Sequence, residues 1–473
     1  MKYAIVTFGC RVNQADSLRL EEDLRARGGA EAPSSDADLV IVNTCSVTAT
    51  ADQGARQTIR RIARENPAAR IVATGCYATR CEEEVAALPN VVRVVRNDEK
   101  LGLVDLMPDL KVRPTSDSIA AAPSDAGRTF RSGIDASGSF RSGTDVGGSL
   151  SSGIDGAGSS RSGIDAGGSF SSGGSGGGPC GAAIEPGVAG RTAFTLRAQT
   201  GCEQQCAFCI IPRTRGASRS LPIETLVAEV RRVAHAGFKE VAIAGVHLGS
   251  YGRDLAPAAS LLDLLLAFDA IDADVTYRVS SLEPMDCTPA IVDLVARSGR
   301  FLPHFHLPLQ HASDGLLAAM RRPYTLDHYR RLVDGIHARL PHASIGSDMI
   351  VGFPGETDAD FAANVAYLPS SPLTHLHVFP YSDRPGTEAT RMRDKVHGSV
   401  IRDRGAELRR VGADLSSRFR ASQVGTVRPG LTLEDGTLVV TDNYLKVRIP
   451  PGLRRNARVT VRLTSPGDGE LVA

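Results

Sequence analysis

Apolar runs of strand length alternate with segments of helical periodicity along most of the chain. Within residues 1–113, the runs are YAIVTFG, LVIVNT and RIVATG, and a segment of helical length follows each of the first two. Strands that alternate with helices predict a parallel sheet. We expect Ser17 and Thr48 to cap helices over 17–27 and 48–65, because short hydroxyl side chains accept from the first free amides of a helix.

The same alternation resumes at residue 191. TAFTLRAQ, VAIAG, VTYRVSS, FHLPLQ and IGSDMIVG have strand length, and helical patterns cover 224–236 and 261–268. Repeated units of this kind predict a partial or complete β/α barrel with its chemistry at the carboxyl ends of the strands. The C-terminal end instead has short alternating strands, GTLVVT, YLKVRI and ARVTVRL, which predict a small all-β barrel.

Residues 114–190 differ in composition from the rest of the 473-residue chain. They hold 20 of its 48 Gly and repeat a ten-residue unit such as RSGIDASGSF. So little apolar surface cannot offset the entropy of ordering, so we interpret the window as a disordered, flexible linker and Cys180 within it as incidental. A calcium-binding β-roll is the alternative, although the Gly-Gly-x-Gly-x-Asp spacing is missing. The predicted domains are therefore 1–113, the linker 114–190, 191–420 and 421–473.

Overall charge and hydropathy exclude several classes of protein. The 54 Lys and Arg balance 53 Asp and Glu, so any nucleic-acid contact needs a local patch. The longest apolar stretches, such as LLDLLLAF, are far shorter than the roughly 20 residues that span a bilayer. Because no signal-peptide pattern is present, we expect a cytoplasmic protein, and we favour a monomer. The nine cysteines are too sparse for a disulfide scaffold, so we interpret grouped thiols as metal or redox sites.

Three cysteines follow the three strands of the N-terminal sheet. Cys10, Cys45 and Cys76 each come directly after an apolar run. Because carboxyl ends of parallel strands meet at one edge, the three thiols can share an iron–sulfur cluster. A single cysteine there would be explained by packing. Cys81 lies beside three Glu, and we interpret it as surface or packing.

A second group of cysteines has the tighter spacing Cys-x3-Cys-x2-Cys. Cys202, Cys206 and Cys209 lie in one loop, which can wrap a cluster of iron and sulfur. Three thiolates on a four-iron cluster leave one iron open for a small molecule, as in catalytic metal sites. Zinc is the alternative, but the next histidine is His235, too distant in sequence to be an adjacent fourth ligand.

The C-terminal end carries a local excess of positive charge. From residue 391 onward, 16 Lys and Arg face 9 Asp and Glu. Such polarity suits an RNA-contacting surface, in which basic side chains meet phosphates and an aromatic ring stacks on a base. A solvated basic face is the alternative. The candidate residues are Arg428, Tyr444, Lys446, Arg448, Arg454, Arg455 and Arg458.

These motifs together resemble the radical S-adenosylmethionine (SAM) methylthiotransferase family. The resemblance covers both blocks outside the linker, and GCRVNQADS, NTCSVTATAD and HFHLPLQHASDGLLAAMRRPYT are most similar to the branch that acts on threonylcarbamoyladenosine in tRNA. It implies an auxiliary 4Fe-4S cluster on the first cysteines, a radical SAM 4Fe-4S cluster on the second, and a C-terminal RNA-binding TRAM barrel. The reaction would place a methylthio group on carbon-2 of the adenine, with an electron donor and a sulfur source as further partners.

The resemblance also implies a SAM pocket at two glycine-rich segments that follow barrel strands. Tight turns are the alternative explanation for their glycines. The pocket residues are Gly245, Gly249, Gly352, Gly355 and Glu356. His304, His306 and His311 are assigned no catalytic role, and Cys287 is interpreted as packing near a helix start.

Other functions stay open at this point. The same chemistry on isopentenyladenosine or on a ribosomal-protein aspartate is possible, and so is a noncatalytic iron–sulfur protein that binds RNA and senses redox state.

Overall fold

A computed structural model describes residues 1–106 and 192–472. The linker and calcium-roll interpretations, and Cys180, lie outside the described residues. The described part contains a parallel α/β sheet, an arc of parallel strands flanked by helices, and an antiparallel sheet. The fold class predicted from the hydrophobic pattern is thereby confirmed. Within these ranges, no helix combines the length and apolar character needed to cross a membrane.

The N-terminal unit is a five-stranded parallel sheet of order β2-β1-β3-β4-β5. Its elements are β1 Lys2–Thr7, α1 Arg11–Ala26, β2 Ala30–Glu31, β3 Leu39–Thr44, α2 Ala49–Glu65, β4 Arg70–Gly75, α3 Cys76–Arg80, α4 Glu82–Ala86 and β5 Val91–Val95. Apolar clusters cover both faces of the sheet, as the largely apolar strands require.

One of the two predicted helix caps in this unit is confirmed and the other is wrong. The Thr48 hydroxyl accepts a hydrogen bond from the amide of Ala51, so α2 begins where predicted. Helix α1 begins at Arg11 with Cys10 in the capping position, six residues before Ser17. The Ser17 hydroxyl instead accepts from the Asn43 side chain, 2.8 Å away, because tertiary packing uses it inside the helix.

The central unit is an arc of six parallel strands in two three-stranded sheets, β10-β9-β6 and β11-β12-β13. A parallel bridge between Tyr277 and Phe301 joins the sheets, which gives a partial barrel. The elements are β6 Phe194–Arg197, β7 Gln199–Thr200, α5 Ile211–Arg215, β8 Arg219–Ser220, α6 Ile223–His235, β9 Glu240–Ala244, α7 Leu261–Asp269, β10 Thr276–Val279, α8 Pro289–Arg297, β11 His304–His306, α9 Asp314–Ala319, α10 Leu326–Arg339, β12 Ser344–Val351, α11 Asp358–Tyr367, β13 His375–Pro380 and α12 Gly398–Gln423.

The C-terminal unit is an antiparallel sheet of order β16-β15-β14-β17-β18. Its strands are β14 Val427–Leu433, β15 Leu438–Thr441, β16 Lys446–Arg448, β17 Arg458–Leu463 and β18 Gly469–Leu471. Helix α12 packs on β13 and leads directly into this sheet. Alternate residues of the strands form a small core, as the period-two pattern predicts.

Candidate functional site

The first cysteine group lies at one edge of the N-terminal sheet. Cys10, Cys45 and Cys76 follow the adjacent strands β1, β3 and β4, with Cys10 exposed and the other two buried. Gly9 and Gly75 have φ values of +90° and +97°, which favour glycine. A Cβ at Gly9 would collide with the Cys45 sulfur, so the glycine lets this thiol approach the loop after β1.

The charge interactions of Cys45 indicate that the three sulfurs are neighbours. Burial raises the pKa of its thiol to about 12, and the sulfurs of Cys10 and Cys76 add to the rise. Three thiolates at one sheet edge, two of them buried, repel each other unless a cation lies between them. This donor set therefore fits soft sulfur ligands for iron.

The second cysteine group lies in the loop between β7 and α5. Cys202, Cys206 and Cys209 are all half-buried, and the amide of Cys209 donates to the carbonyl of Cys206 at 3.1 Å. Burial raises the pKa of Cys209 to about 12, with further contributions from Cys206 and Cys202. These three sulfurs are thus also neighbours and fit an iron–sulfur cluster in the same way.

A buried arginine that follows α9 contacts this second group. Arg322 donates from Nη1 to the Cys206 sulfur at 3.0 Å and forms an ion pair with Glu283 through Nη2. Its Nε donates to Tyr324 Oη, also at 3.0 Å. The guanidinium is therefore held on three sides and supplies positive charge beside a thiolate.

The two cysteine groups approach each other where the first two units meet. Asn97 Nδ2 lies 3.6 Å from the Cys76 sulfur and donates to the Thr214 carbonyl at 2.8 Å. Helix α5, which ends at Arg215, packs on α3, which begins at Cys76. Helix α5, which follows the second cysteine group, thus lies beside the first cysteine group.

Polar side chains face the inside of the barrel on three adjacent strands. His306 Nε2 and His377 Nδ1 lie 2.9 and 3.1 Å from the same Asp348 oxygen, Oδ1. Burial opposes ionisation of Asp348, but the two histidines outweigh it and hold its pKa below the usual range. His377 Nε2 is buried without a partner among the described residues, so this layer can bind a further polar group.

The five residues of the predicted SAM pocket have mostly protein contacts. Side chains at Gly249 and Gly352 would collide with Asp286 and Ile401, whereas Gly355 has open space beside its Cα. The amides after Gly245, those of Val246 and His247, both donate to Gln199 Oε1 at 3.0 Å. The buried Glu356 carboxylate bonds the Gly352 amide and pairs with Arg404 at 3.4 Å, so it closes its own loop.

Tyr444 reaches from the C-terminal sheet into the junction of all three units. Its ring lies 4.5 Å from the His304 ring and beneath the Arg278 guanidinium at 4.6 Å, measured between centres. Arg11, next to Cys10, donates to its hydroxyl at 3.1 Å. The ring predicted to stack on a base thus packs against protein groups.

The predicted basic residues differ in their surroundings. Arg428 forms a two-bond ion pair with Asp442, at 2.9 and 2.6 Å, and Arg458 pairs with Asp274 at 2.6 Å. Arg455 donates to the Glu434 carbonyl. Lys446, Arg448 and Arg454 are exposed, although Arg448 also contacts Asp468.

Sequence reasoning missed Arg215, Arg322 and the charged layer inside the barrel. Arginine is common on surfaces, so neither position had a signal that pointed to a thiol. The histidines did have one: HFH at 304–306 and HLH at 375–377 repeat histidine at every second position of a strand. Such spacing puts both histidines of a pair on one face.

Comparison with known families now adds to this geometry. Residues 196–368 match the Radical SAM superfamily, and residues 2–96 match a family described as Uncharacterized protein family UPF0004. A radical SAM methyltransferase structure, TsrM from Kitasatospora setae, has a TM-score of 0.53 at 14% identity, covering 82% of this chain and 73% of that one. The fold and the barrel motif therefore define a radical SAM enzyme.

Two groups of curated relatives span nearly the whole chain. Threonylcarbamoyladenosine tRNA methylthiotransferase MtaB of Aquifex aeolicus is 31% identical, covering 95% of this chain and 96% of the relative. Ribosomal protein uS12 methylthiotransferase RimO of Roseiflexus sp. is 32% identical, covering 90% and 84%. The chain belongs to the radical SAM methylthiotransferases. Membership of the superfamily implies SAM and a 4Fe-4S cluster as cofactors.

Proposed function

We propose that this enzyme adds a methylthio group to carbon-2 of N6-threonylcarbamoyladenosine in tRNA. Relatives named for that activity are 29–31% identical over 93–95% of the chain. The observation that carries the proposal is the junction at Tyr444, whose side chain contacts Arg11, next to Cys10, and His304, inside the barrel. The C-terminal unit thus adjoins both the first cysteine group and the barrel interior.

The proposal assigns a cluster to each cysteine group. Cys10, Cys45 and Cys76 hold the auxiliary 4Fe-4S cluster, and Cys202, Cys206 and Cys209 hold the radical SAM cluster. When bound at three thiolates, a 4Fe-4S cluster has an open iron that binds SAM and supplies the electron for its cleavage.

The side chains around the clusters orient and bind. Arg322 holds the Cys206 thiolate in place through its hydrogen bond. The His306–Asp348–His377 layer binds a polar edge of the substrate inside the barrel, where His377 Nε2 has no other partner among the described residues. In the proposal, the backbone at Gly245 and Gly355 binds SAM. Gly249, Gly352 and Glu356 instead shape the loops in which they lie.

We propose that tRNA lies along the exposed edge strand β16. Lys446 and Arg448 point out from it, with the buried Val447 between them, and Arg454 is also exposed. Exposed basic side chains of this kind can contact the phosphates of RNA. Arg428 is left out because its side chain is largely buried in an ion pair with Asp442, and Arg458 because it bonds the Asp274 carboxylate and two backbone carbonyls as well. With tRNA as the proposed substrate, we expect the enzyme in the cytoplasm, with a reductant and a sulfur donor as further partners.

An experiment distinguishes two alternative substrates from the proposed one. RimO relatives at 32% identity favour the uS12 aspartate as a second candidate, and isopentenyladenosine in tRNA is the third. Mass spectrometry of tRNA nucleosides and of uS12 from cells with and without the gene tests all three. We expect only methylthiolated threonylcarbamoyladenosine to disappear with the gene. Loss of methylthiolated uS12 or isopentenyladenosine instead would overturn the assignment.

A further inference from the structure

Arg215 connects the loop of the second cysteine group to the first group. It ends α5, which begins two residues after Cys209, and its side chain is only 3% exposed. Helix α5 packs on α3, which belongs to the other unit and begins at Cys76. Burial opposes the charge of the guanidinium, but Cys76, Asp16 and Cys10 outweigh it and raise its pKa. Its position therefore depends on one cysteine loop while its charge acts on the other.

Several contacts fix the Arg215 guanidinium. Nη1 donates to Thr200 Oγ1 at 3.0 Å, and Nη2 donates to Asp16 Oδ2 at 3.1 Å and to Asn13 Oδ1. A guanidinium that is already hydrogen-bonded at both terminal nitrogens loses little further conformational entropy when it binds a third partner. Its charge is thus held in place beside Cys76.

The surroundings of Arg215 leave positive charge uncompensated. Asp16 is fully buried and pairs with three cations, Lys100, Arg197 and Arg215. Burial lowers the pKa of Lys100, whereas the two arginines stay charged, so one carboxylate leaves at least one positive charge without a partner. Arg215 carries its charge on the helix that packs against the start of α3 at Cys76.

One polar atom of Arg215 has no hydrogen-bond partner. Nε is buried and donates to no acceptor among residues 1–106 and 192–472. Buried donors without partners are rare, and in functional sites they often mark a missing ligand. A sulfur of a bound cluster would be an acceptor for it.

We propose that Arg215 is a positioning residue that stabilises negative charge at the first cysteine group and thereby raises the reduction potential of the cluster bound there. The inference rests on the proposed function, because it requires a cluster on Cys10, Cys45 and Cys76. One-electron reduction adds negative charge to a cluster, and a fixed cation in a site of low dielectric favours that state.

The test uses the full chain with Cys202, Cys206 and Cys209 replaced by Ala, so that only the first group can hold a cluster. After anaerobic reconstitution, the midpoint potential is measured by electron paramagnetic resonance in the parent and in Arg215→Gln, Arg215→Lys and Arg213→Gln. Arg213 is the matched control, because it lies on the same helix and is exposed. We expect Arg215→Gln to shift the midpoint to more negative potential, and Arg215→Lys and Arg213→Gln to stay close to the parent.

Each other result decides against a specific claim. An unchanged midpoint in Arg215→Gln overturns the role of Arg215 while leaving the cluster in place. A parent that binds no iron overturns the cluster assignment, and the inference with it. If Arg215→Gln loses its iron, Arg215→Lys decides: a parental midpoint supports the charge argument, and loss of iron there too contradicts it.

Discussion

Arg322 donates a hydrogen bond of 3.0 Å to the sulfur of Cys206, although 116 positions separate the two residues in the chain. Arg322 lies just after α9, at the carboxyl side of β11, whereas Cys206 lies in the loop after β7. The fold of the barrel brings the two residues together. The cysteine motif alone therefore gives the proposed ligands, and the fold adds the charge beside them.

Replacing Arg322 should slow SAM cleavage. A hydrogen bond to a charged group contributes about 1.5–3 kcal/mol, and about 1.4 kcal/mol corresponds to tenfold in rate. We expect Arg322→Gln to lower deoxyadenosine formation by reduced, reconstituted protein roughly tenfold or more. Arg321→Gln is the control, since its side chain is 50% exposed and pairs with Glu388. Glu283→Gln tests whether the lost ion pair matters instead, and wild-type rates in Arg322→Gln would disprove the role.

The two cysteine groups should lose iron separately. We expect Cys45→Ala and Cys206→Ala each to lower the iron content of reconstituted protein to about half, because each removes one ligand of a three-thiolate site. Cys206→Ala should abolish deoxyadenosine formation, whereas Cys45→Ala should retain it and lose only methylthiolation. Cys81→Ala is the matched control, a thiol of the same unit that packs against its apolar core. Retention of methylthiolation by either ligand variant would contradict the two-cluster scheme.

Acid should destabilise the barrel through His375. Burial lowers its pKa to about 3, and the neighbouring His306 and His377 add to the effect. The unfolded histidine titrates near 6.5, so the stabilisation is complete above that pH and is lost as pH falls towards 3. In urea unfolding of the apoprotein, His375→Gln should reduce the loss of unfolding free energy between pH 7 and pH 5 by about 2 kcal/mol.

The exposed His337 on α10 provides the comparison for this measurement. His337→Gln should keep the wild-type dependence on pH. If His375→Gln and His337→Gln have the same dependence, the charge of His375 is not the cause.

Binding of tRNA should depend on Lys446 and Arg448. Each phosphate contact contributes roughly 0.7 to the slope of log K against log salt for single-stranded nucleic acid. Lys446→Ala combined with Arg448→Ala should therefore lower the slope by about 1.4. Arg70→Ala is the control, because this exposed residue begins β4 at the end opposite Cys76. An equal slope in the double variant would place the RNA elsewhere.

Local patterns in the sequence determine most of the fold and identify the cysteines that we propose as cluster ligands. Apolar runs define the strands of the parallel sheet and the barrel, since burial of apolar surface acts wherever such a run occurs. Cys202, Cys206 and Cys209 are recognisable because they lie within eight positions of each other. Cys10, Cys45 and Cys76 are recognisable because each follows a strand of one parallel sheet.

The same patterns do not predict where α1 begins or which groups Tyr444 contacts. Ser17 has the chemistry of a helix cap, but the packing of Asn43 against it places it inside the helix. Tyr444 has the chemistry to stack on a base, but Arg278 and His304 occupy its faces. In both cases the deciding partner lies on another element.

The sequence by itself determined the succession of strands and helices and which thiols can bind iron. Only the tertiary structure decided which charges surround those thiols, as with Arg215 beside Cys76, and what joins the three units, as with the Arg11–Tyr444 hydrogen bond across 433 positions. The reason is physical: periodicity and spacing reflect interactions between near neighbours, whereas a side chain in a folded core meets partners whose distance along the chain leaves no pattern in the sequence.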